Sequence, residues 1–426
     1  MQKSLKWSAA PITLLMILAA CTSPSASTSE SSVPSESSPP SGGDAAAVCA
    51  ADEFGCVEVA AGDPIVLGTA VVITGPNSSL GLDSQYGVQV AVNLRGQVLG
   101  HDVELDNQDD GCSADGGTAS ANLLKSKPEI AAVIGTSCSS AGIPAAQILS
   151  EAGILLVSSS NTAPSLTDPA SHQPFYARTA HNDKVQGAAM AQYACEELGV
   201  TTAATIHDGS PYAQQLQQVF ADNFQSLCDG TVTDQQAISV GDVAFGSVLD
   251  AIATSDDGAA PEFLYYPIFI AEGALITQQA RQNSALDDTI LAGADGVFSP
   301  DFVAAAGAAS EQMYFSGPDL EFAGNFYKDT FLPEYRSVSG EDAPTAPFHA
   351  HSFDATNMVL NAIEEAAIDE GGTLFIPRTA LRDAFFAISG YAGITGTLTC
   401  DATGDCADAK ISVSQLQNGV YVRLWP

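Results

Sequence analysis

The sequence predicts an α/β protein of two doubly wound parallel-sheet lobes, and three observations carry that prediction. From Pro64 onward, short β-branched runs alternate with longer Ala-rich segments whose apolar residues recur at helical spacing. The alternation then starts afresh at Lys184. About 360 residues follow the first 63, enough for two domains of ordinary size. Strands alternating with helices imply right-handed crossovers and a parallel sheet covered on both faces.

The first series predicts strands over 65–73, 103–106, 131–134 and 155–157, with helices over 86–93, 117–125 and 143–151 between them. The second predicts helices over 184–198, 212–227 and 272–281, with strands over 203–207, 263–267 and 289–292. A last strand is expected over 411–416. Ligands bind at the carboxyl ends of parallel strands, and two such lobes in tandem set those ends opposite one another across a cleft. The polar loops after Ile73, Ile134, Val157, His207, Pro267 and Ala292 are the ones that fall there.

The first 63 residues read differently. Lys3 and Lys6 precede an apolar run from Ala9 to Ala20, too short to span a bilayer, that stops at Cys21. Residues 1–20 read as a lipoprotein signal peptide, with Cys21 as the lipidated mature N-terminus; cleavage after an A-x-A site is the alternative. Residues 21–44, rich in Ser and Pro, form an extended tether. Residues 45–63 are a short lead-in carrying Cys49 and Cys56. The expected location is the outer face of the cytoplasmic membrane.

Charge and cysteine count narrow the function. With 14 basic and 50 acidic residues the chain repels phosphate backbones, so no nucleic acid is expected as a partner. Nine cysteines become eight once Cys21 is set aside. Their clustering in an oxidising compartment suggests Cys49–Cys56, Cys112–Cys138, Cys195–Cys228 and Cys400–Cys406. There is no C-x-x-C and no His at ligand spacing beside them, so no metal is expected. Asp401, Asp405 and Asp408 lack the EF-hand pattern and read as a surface turn. His349 and His351 read as standing just before a helix, with use as ligands the alternative. No G-x-S-x-G, H-E-x-x-H or G-x-x-x-x-G-K occurs, so neither an enzyme nor a cofactor is expected.

Two loops carry binding chemistry. Gly135, Ser137, Cys138, Ser139 and Ser140 follow a buried strand and present hydroxyls and free N–H groups at a helix start, which suits an anion. Ser158, Ser159, Ser160, Asn161 and Thr162 form a second hydroxyl-rich loop at the next strand end. Each hydroxyl can instead cap a helix.

The segments VVITGPNSSLGLDSQYGVQVAVN, QDDGCSADGG, VIGTSCSSAGIPAA, LLVSSSNTAPSLT, FYARTAHNDKVQGAA, IHDGSPYAQQL and LAGADGVFSPDF together resemble, in order and spacing, the bacterial leucine/isoleucine/valine-type substrate-binding proteins of ABC importers. The resemblance spans residues 64–426. It implies a periplasmic binding protein type 1 fold in which a three-stranded hinge joins lobe 1 (64–182 plus 319–410) to lobe 2 (183–318 plus 411–426). It implies that Ser139 and Thr162 hold a ligand α-carboxylate, that the Ser160 carbonyl faces the ammonium, and that Asp295, where the family has Glu, pairs with that ammonium. Tyr212, in the loop after IHD, and Phe269 become aromatic walls, while Leu80 takes the place of another aromatic. Asp183 aligns with an Asp near pocket and hinge, and Cys112–Cys138 matches a family disulfide. The implied partners are an amino acid, with ABC permease and ATPase subunits, and the expected state is a monomer. A co-receptor for a membrane sensor and a binder of a small amide are the alternatives. His181 and Asn182 are not expected beside a purely apolar pocket.

Overall fold

A computed structural model describes residues 45–426; the expected signal peptide, the expected lipidation site Cys21 and the expected tether lie outside the described residues. The first sheet has five parallel strands in the order Val103–Asp109, Ile65–Val71, Ile130–Gly135, Leu155–Ser158, Tyr176–Arg178. Ile130–Gly135, in the middle, is buried at every position, which is why its sequence shows a continuous apolar run rather than alternation. Helices cover both faces. Ala121, Leu124, Ala145 and Leu149 pack on one, and Val88, Met358, Val359 and Leu381 on the other.

The second sheet has seven strands, in the order Val420–Trp425, Ile411–Gln417, Tyr314–Pro318, Ile290–Gly293, Phe263–Tyr265, Thr202–His207, Thr231–Ala237. The last five are parallel; Ile411–Gln417 runs antiparallel to both its neighbours. A core centred on Phe220, Phe224, Phe263 and Phe315 fills this lobe. The chain thus passes between the sheets three times: after Arg178, after Pro318 and before Ile411. Within the lead-in, Cys56–Val59 pairs with Thr373–Pro377.

The structure departs from the sequence reading at four places. The helix expected over 86–93 runs Ser78–Arg95. Its first turns, SSLGLDSQ, lack apolar periodicity because a small residue there meets neighbouring backbone: a Cβ on Gly81 would lie 1.9 Å from the Val72 carbonyl oxygen. His349 and His351 stand inside the helix His349–Ala366, buried, not before it. Asp83 accepts from the His349 amide at 2.8 Å and lies 3.2 Å from Nδ1, while Nε2 bonds the Tyr327 hydroxyl at 2.8 Å. Tyr212 is the second residue of the helix Pro211–Cys228, as the helix expected over 212–227 implies, and not part of the loop after IHD in which the family resemblance set it. The 400–408 turn is not simply a surface feature, since Cys406 is buried and Asp405 is an ion-pair partner of the buried Arg178.

All four disulfides, Cys49–Cys56, Cys112–Cys138, Cys195–Cys228 and Cys400–Cys406, are formed. Among the described residues no helix is long and apolar enough to cross a membrane.

Candidate functional site

The strand Ile130–Gly135 ends at the loop that leads into the helix Ser139–Ser150. That helix has no side-chain N-cap bond; its Ala141 amide donates to the Cys138 carbonyl at 2.9 Å, and the Ser139 and Ser140 amides lead its open N-terminal end. Leu155–Ser158 ends beside it in the second loop. The two loops are stitched together: Ser160 Oγ donates to the Ser137 carbonyl at 2.9 Å, and the Ala163 amide donates to Ser139 Oγ at 3.2 Å. Ser137 is held in turn, its Oγ accepting from the Val72 amide at 3.0 Å and its own amide donating to Asp110 at 2.6 Å. Asp110 also accepts from the Cys112 amide at 2.7 Å, so carboxylate and disulfide bind the same two segments. Burial pushes the Asp110 carboxyl up to about 7, against the pull of those two amides.

Across the cleft, Ile290–Gly293 delivers Asp295, which is 4% exposed. Its Oδ1 accepts from the Tyr212 hydroxyl at 2.9 Å and from Gln186 Nε2 at 2.7 Å. Burial first, and then Asp295 beside it, raise the Tyr212 phenol well above its ordinary range. The adjoining Gly296 must be glycine, since a Cβ there would meet the Ile268 carbonyl oxygen at 2.7 Å and the Tyr212 ring at 3.2 Å. Phe269 packs on Tyr212 with ring centres 5.2 Å apart, and touches the cluster of Val72, Leu80 and Ala346 from the first lobe.

These elements enclose a cavity of about 320 Å³, its mouth included, lined by Leu80, Ser137, Cys138, Ser139, Ser160, Tyr212, Phe269, Asp295, Gly296 and Phe348. Leu80, Ser137, Ser139, Ser160, Tyr212, Phe269 and Asp295 are therefore brought together around one space. Thr162 and Asp183 are not in the lining but buried outside it. The Thr162 hydroxyl faces the Asp183 carboxylate outside hydrogen-bonding geometry, and neither group has a side-chain partner. Burial and the nearby Asp295 raise the Asp183 carboxyl well above its usual range.

His181 bonds Gln186, the residue that holds Asp295, and burial lowers its basicity. Asn182 points away from the cavity: it caps the helix Asp183–Gln192 at the Lys184 amide and donates to Asp405 at 3.1 Å. Phe348, stacked over His181 with ring centres 6.1 Å apart, is a lining residue that the sequence reading missed. The pattern FHAHS offered no signal for it, because its place in the wall depends on a helix from another part of the chain. The lobes touch at the cleft: Gln215 Oε1 accepts from the Ser165 amide and Gln215 Nε2 donates to Ser165 Oγ, both at 2.9 Å.

Two α/β lobes closing a cavity between the carboxyl ends of their strands define a solute-binding protein. The chain belongs to the periplasmic binding protein family, whose model matches residues 64–419. It is 25% identical to the Leu/Ile/Val-binding protein homolog 3 of Brucella melitensis, over 84% of this chain and 93% of that one. It is 26% identical to a leucine-, isoleucine-, valine-, threonine- and alanine-binding protein of Pseudomonas aeruginosa, over 72% and 79%. Among solved structures, a leucine-binding protein of Thermotoga maritima superposes with a TM-score of 0.75 at 25% identity, covering 84% of this chain and 97% of that chain. A branched-chain amino acid binding protein of Streptococcus pneumoniae, in complex with isoleucine, shares the fold at a TM-score of 0.72 and 23% identity, over 85% and 100%. The family and these relatives are solute-binding proteins, not enzymes.

Proposed function

We propose that this protein captures a neutral amino acid, branched-chain or similar in size, between its lobes and delivers it to an ABC permease and its ATPase. The observation that carries this reading is the pairing, across one small cavity, of a hydroxyl- and amide-rich wall with a buried carboxylate. Ser139 and Ser160, with the first amides of the Ser139–Ser150 helix, take the α-carboxylate and the inner face of the ammonium, and Thr162, buried behind them, backs that wall. Asp295, oriented by Tyr212 and Gln186, takes the positive charge, and Asp183 adds a second carboxyl behind it. Leu80, Phe269 and Phe348 wall an aliphatic side chain, whose burial is worth roughly 1.5–3 kcal/mol.

Closure brings lobe 1, 64–182 with 319–410, against lobe 2, 183–318 with 411–426. Both lobes supply contacts, so the ligand favours the closed form. A lipid on Cys21 and the 21–44 tether keep the monomeric globule beside its permease. A thermal-shift screen against amino acids and amides tests the reading, since a ligand bound only by the folded state raises the melting temperature. A shift with neutral L-amino acids and none with their amides is expected; the reverse order sinks the carboxylate clamp.

A further inference from the structure

The loop 158–163 is held from beneath by a side chain that does not reach the cavity. Arg178 is fully buried and donates from Nη1 to the carbonyl oxygens of Asn161 at 3.1 Å and Ala163 at 2.9 Å. Its Nη2 donates to Thr167 Oγ1 at 2.7 Å, and its Nε pairs with Asp405. Asp405 sits inside the turn closed by the Cys400–Cys406 disulfide. The backbone of that turn is laid along Arg178: the Arg178 amide donates to the Gly404 carbonyl at 2.8 Å, and the Cys406 amide to the Arg178 carbonyl at 3.0 Å. The second Asp405 oxygen accepts from Thr167 Oγ1 at 2.9 Å and from Asn182 Nδ2 at 3.1 Å. A distant disulfide turn, a buried guanidinium and the carbonyls of the binding loop thus form one unbroken chain of hydrogen bonds.

A buried guanidinium left without its carboxylate is strongly unfavourable, so the orientation of Arg178 depends on Asp405. Asp405 depends on the turn. Two loop carbonyls facing inward toward Arg178 leave the opposite edge of the loop, with Ser160, turned toward the cavity. We propose that Arg178 and Asp405, the latter seated in the Cys400–Cys406 turn, are positioning residues that hold the loop 158–163 in its binding geometry. The proposal rests on the reading that this loop contacts the ligand.

Three variants of the full chain test it: Asp405→Asn, the pair Cys400→Ser with Cys406→Ser, and the control pair Cys49→Ser with Cys56→Ser. Two readouts are taken well below the melting temperature, calorimetric titration with L-leucine and hydrogen exchange of the Asn161 and Ala163 amides. Asp405→Asn and the 400/406 pair are expected to weaken leucine binding about tenfold and to speed exchange at those two amides about tenfold. Amides of the Ile65–Val71 strand should not change, and the 49/56 pair should leave both readouts at wild-type values. Wild-type exchange at Asn161 and Ala163 in both test variants overturns the proposal. So does uniformly faster exchange across both lobes, which assigns a general structural role, and so does a loosened loop with unaltered leucine affinity. Ser139→Ala with Thr162→Ala, run alongside, separates the failures: wild-type leucine binding there removes the loop's ligand role itself, and the proposal with it. Loss of binding there, with unmoved readouts in the Asp405 variant, removes only the positioning role.

Discussion

Tyr212 gives its phenolic hydrogen to Asp295 Oδ1 at 2.9 Å and accepts the Gly296 amide at 3.1 Å, so one hydroxyl fixes both the carboxylate and the loop that carries it. Gln186 adds a second bond to the same oxygen, which leaves Oδ2 for an incoming cation. Asp295→Asn keeps the shape and removes the charge. Ligand affinity is expected to fall by about 1.5–3 kcal/mol, the range for a hydrogen bond to a charged group. Tyr212→Phe, which only loosens the carboxylate, should cost about 0.5–1.5 kcal/mol. Calorimetry on both variants, with melting curves to show that the fold persists, checks the order; equal affinities in the wild type and the Asn variant would remove Asp295 from the ammonium site.

On the opposite side, Ser139→Ala, which strips the wall of a hydroxyl, together with Thr162→Ala, which empties space directly behind that wall, should abolish binding of free amino acids. Ser139 Oγ also anchors the Ala163 amide, so its loss displaces the second loop as well as deleting a hydroxyl. Coupling between the two positions should therefore exceed additivity in a double-mutant cycle. Strictly additive losses in that cycle would show that the two loops act separately.

Asp110 makes stability depend on pH in the direction opposite to a surface carboxylate. Its folded pKa of about 7 lies above the ordinary carboxyl value, so between those limits the folded state holds a proton that the unfolded chain has released. Stability contributed by this group is present at acid pH and is lost as pH rises through about 7. From pH 5 to 7 the loss amounts to ~2 kcal/mol, at 1.36 kcal/mol per pKa unit. Urea midpoints at the two pH values should differ by less in Asp110→Asn than in the wild type; an identical difference in both proteins would show that Asp110 titrates normally.

Much of the fold was legible because the residues of each strand declare their burial. AAVI, 131–134, reads as a buried strand, and the structure buries these four positions together with Ile130 and Gly135 on either side. Thr231–Ala237, TVTDQQA, was illegible for the converse reason: it is an edge strand whose side chains are half-buried or exposed, so no apolar pattern marks it. The loops that build the cavity wall were visible as hydroxyl-rich stretches after apolar runs. What composition could not reveal is which distant residues reach them. Phe348 enters the wall from the turn that leads into the helix His349–Ala366, far along the chain, and Asp405 reaches Arg178 from a turn that reads, locally, as solvated.

The two longer disulfides separate stability from binding. Cys112–Cys138 closes 26 residues and Cys195–Cys228 closes 33, so chain entropy predicts ~3.5 kcal/mol of stabilisation from each. Replacing either pair with serine should lower the urea midpoint by a similar amount. Only one pair borders the cavity. Cys138 lines it, and Cys112 lies two residues from Asp110, whose carboxylate holds the Ser137 amide. Removing Cys112–Cys138 should therefore weaken ligand binding at temperatures where the protein stays folded, whereas removing Cys195–Cys228, packed against the core of the second lobe, should leave affinity unchanged. Equal affinity losses in the two variants would mean that global loosening, not the position of the Ser137–Ser140 loop, controls binding.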